Sequence, residues 1–206
     1  MRTKFKAWAE PYLNEHLEYS LSDEELSGLD NFNLEIGSGK GEFLIRMASK
    51  FPEEFFLGIE RNVTCAGIAM KKIVASEKPN LRLIHADGEE KIKLLKDNSV
   101  KTIFLNFSDP WPKDRHAKRR LTSPVFLKLY SQILESGHTI EFKTDNRLLF
   151  DYSVETIKEF PDFNITAITY DLHNDTTMNE GNVMTEYEEK FSSIGNPIYK
   201  LIATRV

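Results

Sequence analysis

A single cysteine, Cys65, in 206 residues leaves nothing from which to build an intrachain disulfide or a multi-cysteine metal site. One lone thiol suits a reducing cytoplasm. No apolar run approaches the roughly 18 residues of a membrane span. The opening stretch Met1–Glu10 has no continuous apolar segment, so neither secretion nor membrane insertion is expected. The histidines show no ligand spacing, and no metal is expected. No repeat, low-complexity tract or Gly/Ser linker divides the chain. What is present, 40% hydrophobic and 29% charged residues, is ordinary for a globular protein. Overall positive charge is also lacking, since the net is −5. The charge is uneven, however. Lys113 to Arg120 carries five basic residues against one acid, or +4, and Arg2, Lys4 and Lys6 add +3, which leaves −12 for the remainder. An acidic body with two concentrated basic patches fits a local polyanion site, with a solvated loop as the alternative.

Short runs rich in β-branched and aromatic residues predict strands at Phe32–Ile36, Phe55–Ile59, Leu81–His85, Thr102–Phe107 and Thr139–Phe142. Helical patterns fall between them, at Glu42–Lys50, Val63–Glu77, a helix opened by Ser123-Pro124 with serine as N-cap, and Asn146–Phe160. Alternation of this kind makes βαβ units, and hence a doubly wound, mostly parallel α/β sheet with helices on both faces. The late runs Asn164–Tyr170 and Ile198–Thr204 are expected to pair antiparallel at the C-terminal edge. In such a sheet ligands bind beyond the carboxyl ends of the strands.

The first strand runs into Gly37-Ser-Gly39-Lys-Gly41. Lys40 is followed by glycine, not Ser/Thr, so the phosphate-binding P-loop reading fails. Glu42 stands where a dinucleotide fingerprint needs its third glycine. The remaining match is an S-adenosylmethionine loop, with Glu35 ahead of the glycines suited to an ammonium group. A ligand-free strand-to-helix turn is the alternative. Glu60, at the second strand's end, can accept from ribose hydroxyls, and Asp87, after the third, from an adenine amino group. Singly, each acid reads as a solvated strand end. After the fourth strand, Asp109-Pro-Trp111-Pro makes a stiff turn that holds a carboxylate beside an aromatic plane, directly before the basic run.

The run Asn106-Phe-Ser-Asp-Pro-Trp-Pro-Lys-Asp-Arg-His-Ala-Lys-Arg-Arg-Leu-Thr122 resembles the signature of the bacterial tRNA (guanine-N7)-methyltransferases. Glu35-Ile-Gly-Ser-Gly-Lys-Gly41, Lys143-Thr-Asp-Asn146, Thr185-Glu-Tyr-Glu-Glu-Lys-Phe191 and Gly195-Asn-Pro-Ile198 agree with it, from about residue 30 to the C-terminus. The resemblance implies a Rossmann-like class I methyltransferase fold. It implies methyl transfer from S-adenosylmethionine to N7 of the variable-loop guanine, tRNA nucleotide 46. The cofactor would be held by Glu35, Gly37, Gly39, Gly41, Glu60, Asp87 and Asp109, with Asp109 as the catalytic residue. Substrate contacts fall to Lys113, Asp145, Thr185, Glu186, Tyr187 and Glu188, and RNA contacts to Arg115, His116, Ala117, Lys118, Arg119 and Arg120. Asp109, Asp145 and Glu188 are the acids that could recognise guanine, and Trp111 or Tyr187 could stack on it. The domain division expected is a flexible, RNA-contacting N-terminal extension over residues 1–30 and a single methyltransferase domain over 31–206. A cytoplasmic monomer or homodimer with no obligate protein partner is anticipated. Two rivals stay open: an amino-group methyltransferase of nucleic acid, whose Asp/Asn-Pro-Pro-aromatic turn is similar to Asp109-Pro-Trp111, and a non-catalytic RNA-binding subunit that keeps the fold.

Overall fold

The structure is a computed structural model and describes residues 3–206; Arg2 of the N-terminal basic patch lies outside the described residues. In chain order the elements are α1 (Ala9–Glu15), α2 (Asp23–Gly28), β1 (Phe32–Ile36), α3 (Glu42–Lys50), β2 (Phe55–Glu60) and α4 (Val63–Ser76). Next come β3 (Leu81–His85), α5 (Gly88–Ile92), β4 (Val100–Asn106), α6 (Pro124–Ile133), β5 (Leu134–Thr144) and α7 (Arg147–Glu159). The chain ends with β6 (Phe163–Thr169), α8 (Thr176–Asn179), α9 (Glu186–Ser192) and β7 (Tyr199–Arg205).

The described strands form one seven-stranded sheet in the order β3-β2-β1-β4-β5-β7-β6. The first five of these run parallel, and β7 is antiparallel to both β5 and β6. The last strand therefore inserts between its neighbours, and β6 forms the edge. All five residues of β1 are buried, as expected for a central strand covered on both faces. One apolar layer, including Phe32, Leu127, Tyr130, Phe142 and Phe150, lies under α5, α6 and α7. The other, including Leu44, Phe56, Met70 and Ile73, lies under α1, α3 and α4. The chain reverses direction across the sheet at β1 and β4, which opens the ligand crevice beyond their carboxyl ends.

Within the N-terminal segment, Ala9 and Leu13 of α1 and Leu26 of α2 are buried. Helix α1 sits on α4 so closely that a Cβ at Gly67 would lie 2.6 Å from the Ala9 Cβ. Ser123 precedes α6 as predicted, with Pro124 at its start, but its hydroxyl makes no cap bond and instead donates to the Lys118 carbonyl at 3.1 Å.

Candidate active site

Gly37, Gly39 and Gly41 all take left-handed backbone conformations, with φ of 77°, 56° and 77°, a region in which a Cβ is strained. The turn they form is fastened to β2. Gly37 N–H donates to the Ile59 carbonyl at 2.8 Å, and Gly39 N–H donates to Glu60 Oε2 at 2.8 Å. Glu60 Oε1 accepts from Asn62 N–H at 2.6 Å. Burial raises the Glu60 pKa, and the two backbone donors oppose that rise. Glu60 thus already organises the glycine turn, while each oxygen keeps a lone pair for a further donor.

Glu35 lies on the sheet face that Asn106 and Lys143 share, because Glu35 is level with Phe104 and Asn106 with Lys143. It is 2% exposed. Oε1 accepts from Asn106 Nδ2 at 2.8 Å, while Oε2, Asn106 Oδ1 and Ser38 Oγ are buried without a partner among the described residues. Desolvation lifts the Glu35 carboxyl to about 8, against the opposing pull of Asn106 and Lys143. Buried polar atoms left open are costly unless a ligand completes them. A cationic, hydrogen-bonding ligand end fits here, as the ammonium of S-adenosylmethionine requires. Asp87 sits at the rim, where Oδ1 caps α5 by accepting from Glu89 N–H at 2.9 Å and Oδ2 lies 3.5 Å from Arg61 Nη1.

Beyond β4 the backbone turns through two left-handed non-glycine residues, Phe107 (φ 50°) and Trp111 (φ 41°). Strain of this kind persists only where the surroundings hold it. Arg120 supplies the hold: Nε donates to the Pro110 carbonyl at 3.1 Å, Nη2 to the Trp111 carbonyl at 3.0 Å, and the guanidinium lies 4.2 Å from the Tyr152 ring centroid. Asp109 stands exposed between them, with no hydrogen-bond partner for its carboxylate among the described residues. The basic run forms a 3-10 helix, Asp114–Arg119. Lys113, Arg115 and Lys118 face solvent, and His116 and Ala117 are half-buried. Arg119 lies over Trp111 at 4.9 Å, and His116 meets that ring edge-on. Of the six consecutive residues expected to contact RNA, Arg120 is engaged with the Asp109 turn and Arg119 lies over the tryptophan.

Asp145 follows β5, and its Oδ2 accepts from the Tyr187 hydroxyl at 3.0 Å. Tyr187 also packs on Phe107 (4.8 Å) and stacks on Phe191 (4.1 Å). Burial, with the Asp145 carboxylate beside it, pushes the phenol up to about 12. Glu188, expected to read guanine, is fully buried. Its Oε2 is 2.6 Å from Lys143 Nζ, and its Oε1 accepts from Asn182 Nδ2 at 2.7 Å. Thr185 caps α9, and Glu186 pairs with Lys72. Of the Thr185–Glu188 segment, Tyr187 is the side chain joined to Asp145 at the mouth of the crevice. Sequence reasoning missed Asn106, Phe107 and Lys143. A lysine ending the apolar run Ile140-Glu-Phe-Lys143 was the available signal. Among the described residues no group of three or more His, Cys, Asp or Glu side chains could hold a metal ion, and no helix is long and apolar enough to cross a membrane.

A family model described as "Putative methyltransferase" matches residues 30–201. The tRNA (guanine-N(7)-)-methyltransferase of Limosilactobacillus reuteri is 45% identical over 212 residues, which cover 98% of this chain and 99% of the relative. The enzyme of the same name from Bacillus subtilis is 41% identical, covering 97% of each. The match to these relatives thus takes in most of residues 1–30. Among solved structures, an antibiotic related methyltransferase superimposes with a TM-score of 0.62 at 15% identity, covering 91% of this chain and 96% of that one. An rRNA methylase from Streptococcus thermophilus gives 0.56 at 13%, with coverage of 89% and 93%. At these identities the likeness is one of fold.

Proposed function

The chain belongs to the tRNA (guanine-N7)-methyltransferase family, and from that membership we propose how its residues divide the work. The reaction is transfer of a methyl group from S-adenosylmethionine to N7 of a tRNA guanine, which the family places at nucleotide 46. Glu35 would hold the cofactor's ammonium, Glu60 its ribose hydroxyls and Asp87 its adenine amino group, over the turn of Gly37, Gly39 and Gly41. When bound, the cofactor supplies an electrophilic methyl on a sulfonium sulfur.

Guanine N7 already carries an in-plane lone pair, so the protein has no proton to remove. Its task is to orient the base and to stabilise the positive charge that builds on the ring. Asp109 is suited to both: among the described residues its carboxylate has no hydrogen-bond partner to compete for it, and a fixed negative charge stabilises a developing cation. Asp145 and Tyr187 form the opposite wall, where a carboxylate can accept from the guanine N1–H and amino donors and an aromatic ring can stack. Lys113, Arg115 and Lys118 would contact phosphate. The observation that carries the reading is the exposed Asp109, held on a strained turn by Arg120 beyond the end of β4, next in the sheet to β1, which carries the buried Glu35. Because the substrate is tRNA, we place the enzyme in the cytoplasm, as a monomer or homodimer without an obligate protein partner.

Incubation of the protein with labelled S-adenosylmethionine and tRNA, followed by nucleoside analysis, tests this. The expected product is 7-methylguanosine, absent when nucleotide 46 is adenine. Label on an exocyclic amine, or none on a guanine, overturns the reading.

A further inference from the structure

We infer that Lys143 is the positioning residue that fixes the Asn182–Glu188 segment, and through it the Tyr187–Asp145 wall, at the methyl-acceptor site. The inference rests on the functional reading above. Lys143 is 4% exposed, and its ammonium is fully used. Nζ donates to Glu188 Oε2 at 2.6 Å, to the Val183 carbonyl at 2.9 Å and to Asn182 Oδ1 at 3.2 Å. Three donors meet three acceptors, and all three acceptors belong to one segment that has no strand and only the start of a helix. The Lys143 carbonyl meanwhile accepts from Phe107 N–H at 2.8 Å, where the Asp109 turn begins, and Asp145 stands two residues on. One residue is thus the junction of the three segments that wall the acceptor site.

Apolar packing holds the segment only in part. Val183 packs against the apolar layer under α3 and α4, beside an open pocket of about 280 Å³ lined by Phe43, Met47, Lys143, Met178 and Val183 among others. Its other ties, Arg46 with Glu189 and the Met184 carbonyl and Lys72 with Glu186, are partly exposed, and such ion pairs hold weakly. Among the described residues Lys143 and Glu188 form the one ion pair in which both side chains are at most 5% exposed. Desolvation lowers the Lys143 pKa, against the pull of Glu188. A buried pair of this kind is often no more stabilising than apolar residues of the same size. What it adds is directionality, because a charge with fixed acceptors admits one placement of the chain that carries them.

The test uses the full-length protein with Lys143→Met, which keeps length and removes the donors, and Lys143→Arg, which keeps the charge. For Lys143→Met we expect kcat/KM for tRNA to fall by about 10–100-fold, with S-adenosylmethionine affinity within about twofold of wild type, the signature of a displaced acceptor wall. Lys143→Arg should recover part of the loss. Amide hydrogen exchange should quicken at residues 182–188 and stay unchanged in the sheet, a readout independent of catalysis. Because Lys143→Met leaves Glu188 without its cation and risks unfolding, Asn182→Ala is measured beside it, with a smaller loss of the same kind expected. Wild-type kinetics in a folded Lys143→Met, or in Asn182→Ala should Lys143→Met not fold, overturn the inference, whatever the exchange shows. If the wild-type protein forms no 7-methylguanosine while exchange at 182–188 still quickens in the variant, the functional reading has failed and the anchoring of the segment stands.

Discussion

Glu35 carries the residue-scale chemistry furthest from ordinary solution behaviour. Its carboxyl, raised by burial from 4.5 to about 8, holds a proton in the folded, cofactor-free protein that the unfolded chain gives up. The native state binds the extra proton, so its stability declines as pH rises through that window and is level above it. A cofactor ammonium at the open Oε2 favours the ionised form, and binding should therefore expel the proton. Log affinity for S-adenosylmethionine should rise by up to about one unit per pH unit, between about pH 6 and 7.5, below the range in which an α-amino group itself titrates. Calorimetry across that range checks this, and Glu35→Gln should flatten the slope. A wild-type affinity indifferent to pH would detach Glu35 from the ammonium. Asp109 offers the complementary experiment. Since its carboxylate makes no hydrogen bond among the described residues, Asp109→Asn removes charge and leaves the fold alone. Single-turnover methyl transfer should slow by roughly 10²–10³, the order found when one transition-state contact is lost. Cofactor and tRNA affinities should fall far less. A near-wild-type rate would shift the chemistry to Asp145.

At the scale of elements, α1 pairs with α4 through a close contact of Ala9 with Gly67. Gly67 permits the approach: its added Cβ would lie 2.6 Å and 2.8 Å from the Cβ and Cα of Ala9. Gly67→Ala should destabilise by about 1–3 kcal/mol of overpacking, less up to about 1 kcal/mol returned by alanine's better helix propensity. Thermal unfolding of the variant, compared with one lacking residues 1–16, reads that cost; a stabilised Gly67→Ala would show that α1 yields freely. This packing was illegible in the sequence because Ala9 and Leu13 are a thin apolar stripe, and their partner glycine lies more than fifty residues away. The parallel strands were legible because burial on both faces writes itself as short, nearly continuous apolar runs, as in Phe55-Phe-Leu-Gly-Ile59. The placement of the proposed site residues was legible where they sit at or just beyond a strand's carboxyl end, as Glu35, Glu60 and Asp109 do. It was not legible where a distant partner decides the role. Arg120 reads as one more base in a basic run until the Pro110 and Trp111 carbonyls are seen to receive it. Glu188 reads as an acid that could recognise guanine until it is found paired with the buried Lys143.

At the scale of the whole molecule, a net charge of −5 must be reconciled with a polyanionic substrate. Screening supplies the reason: at physiological salt, charges more than about 8 Å apart in solvent barely interact, so the acidic body does not cancel Lys113, Arg115 and Lys118 at the rim. Local positive charge that displaces counterions from phosphate shows itself as the slope of log affinity against log salt, at about 0.7–0.9 per contact. Lys113, Arg115 and Lys118 changed together to alanine should flatten that slope by roughly two units, with S-adenosylmethionine binding intact. Arg120→Ala should behave differently, although it removes the same charge from the same run. Its guanidinium is engaged with the Pro110 and Trp111 carbonyls, so its loss should loosen the Asp109 turn, lower the rate of methyl transfer and leave the salt slope almost as it was. Filter binding of tRNA over a salt series, beside single-turnover rates for both variants, separates positioning from attraction. An unchanged slope in the triple variant would return the exposed bases to the status of a solvated loop. A slope change in Arg120→Ala as large as one phosphate contact, with the rate preserved, would put that arginine back on the RNA.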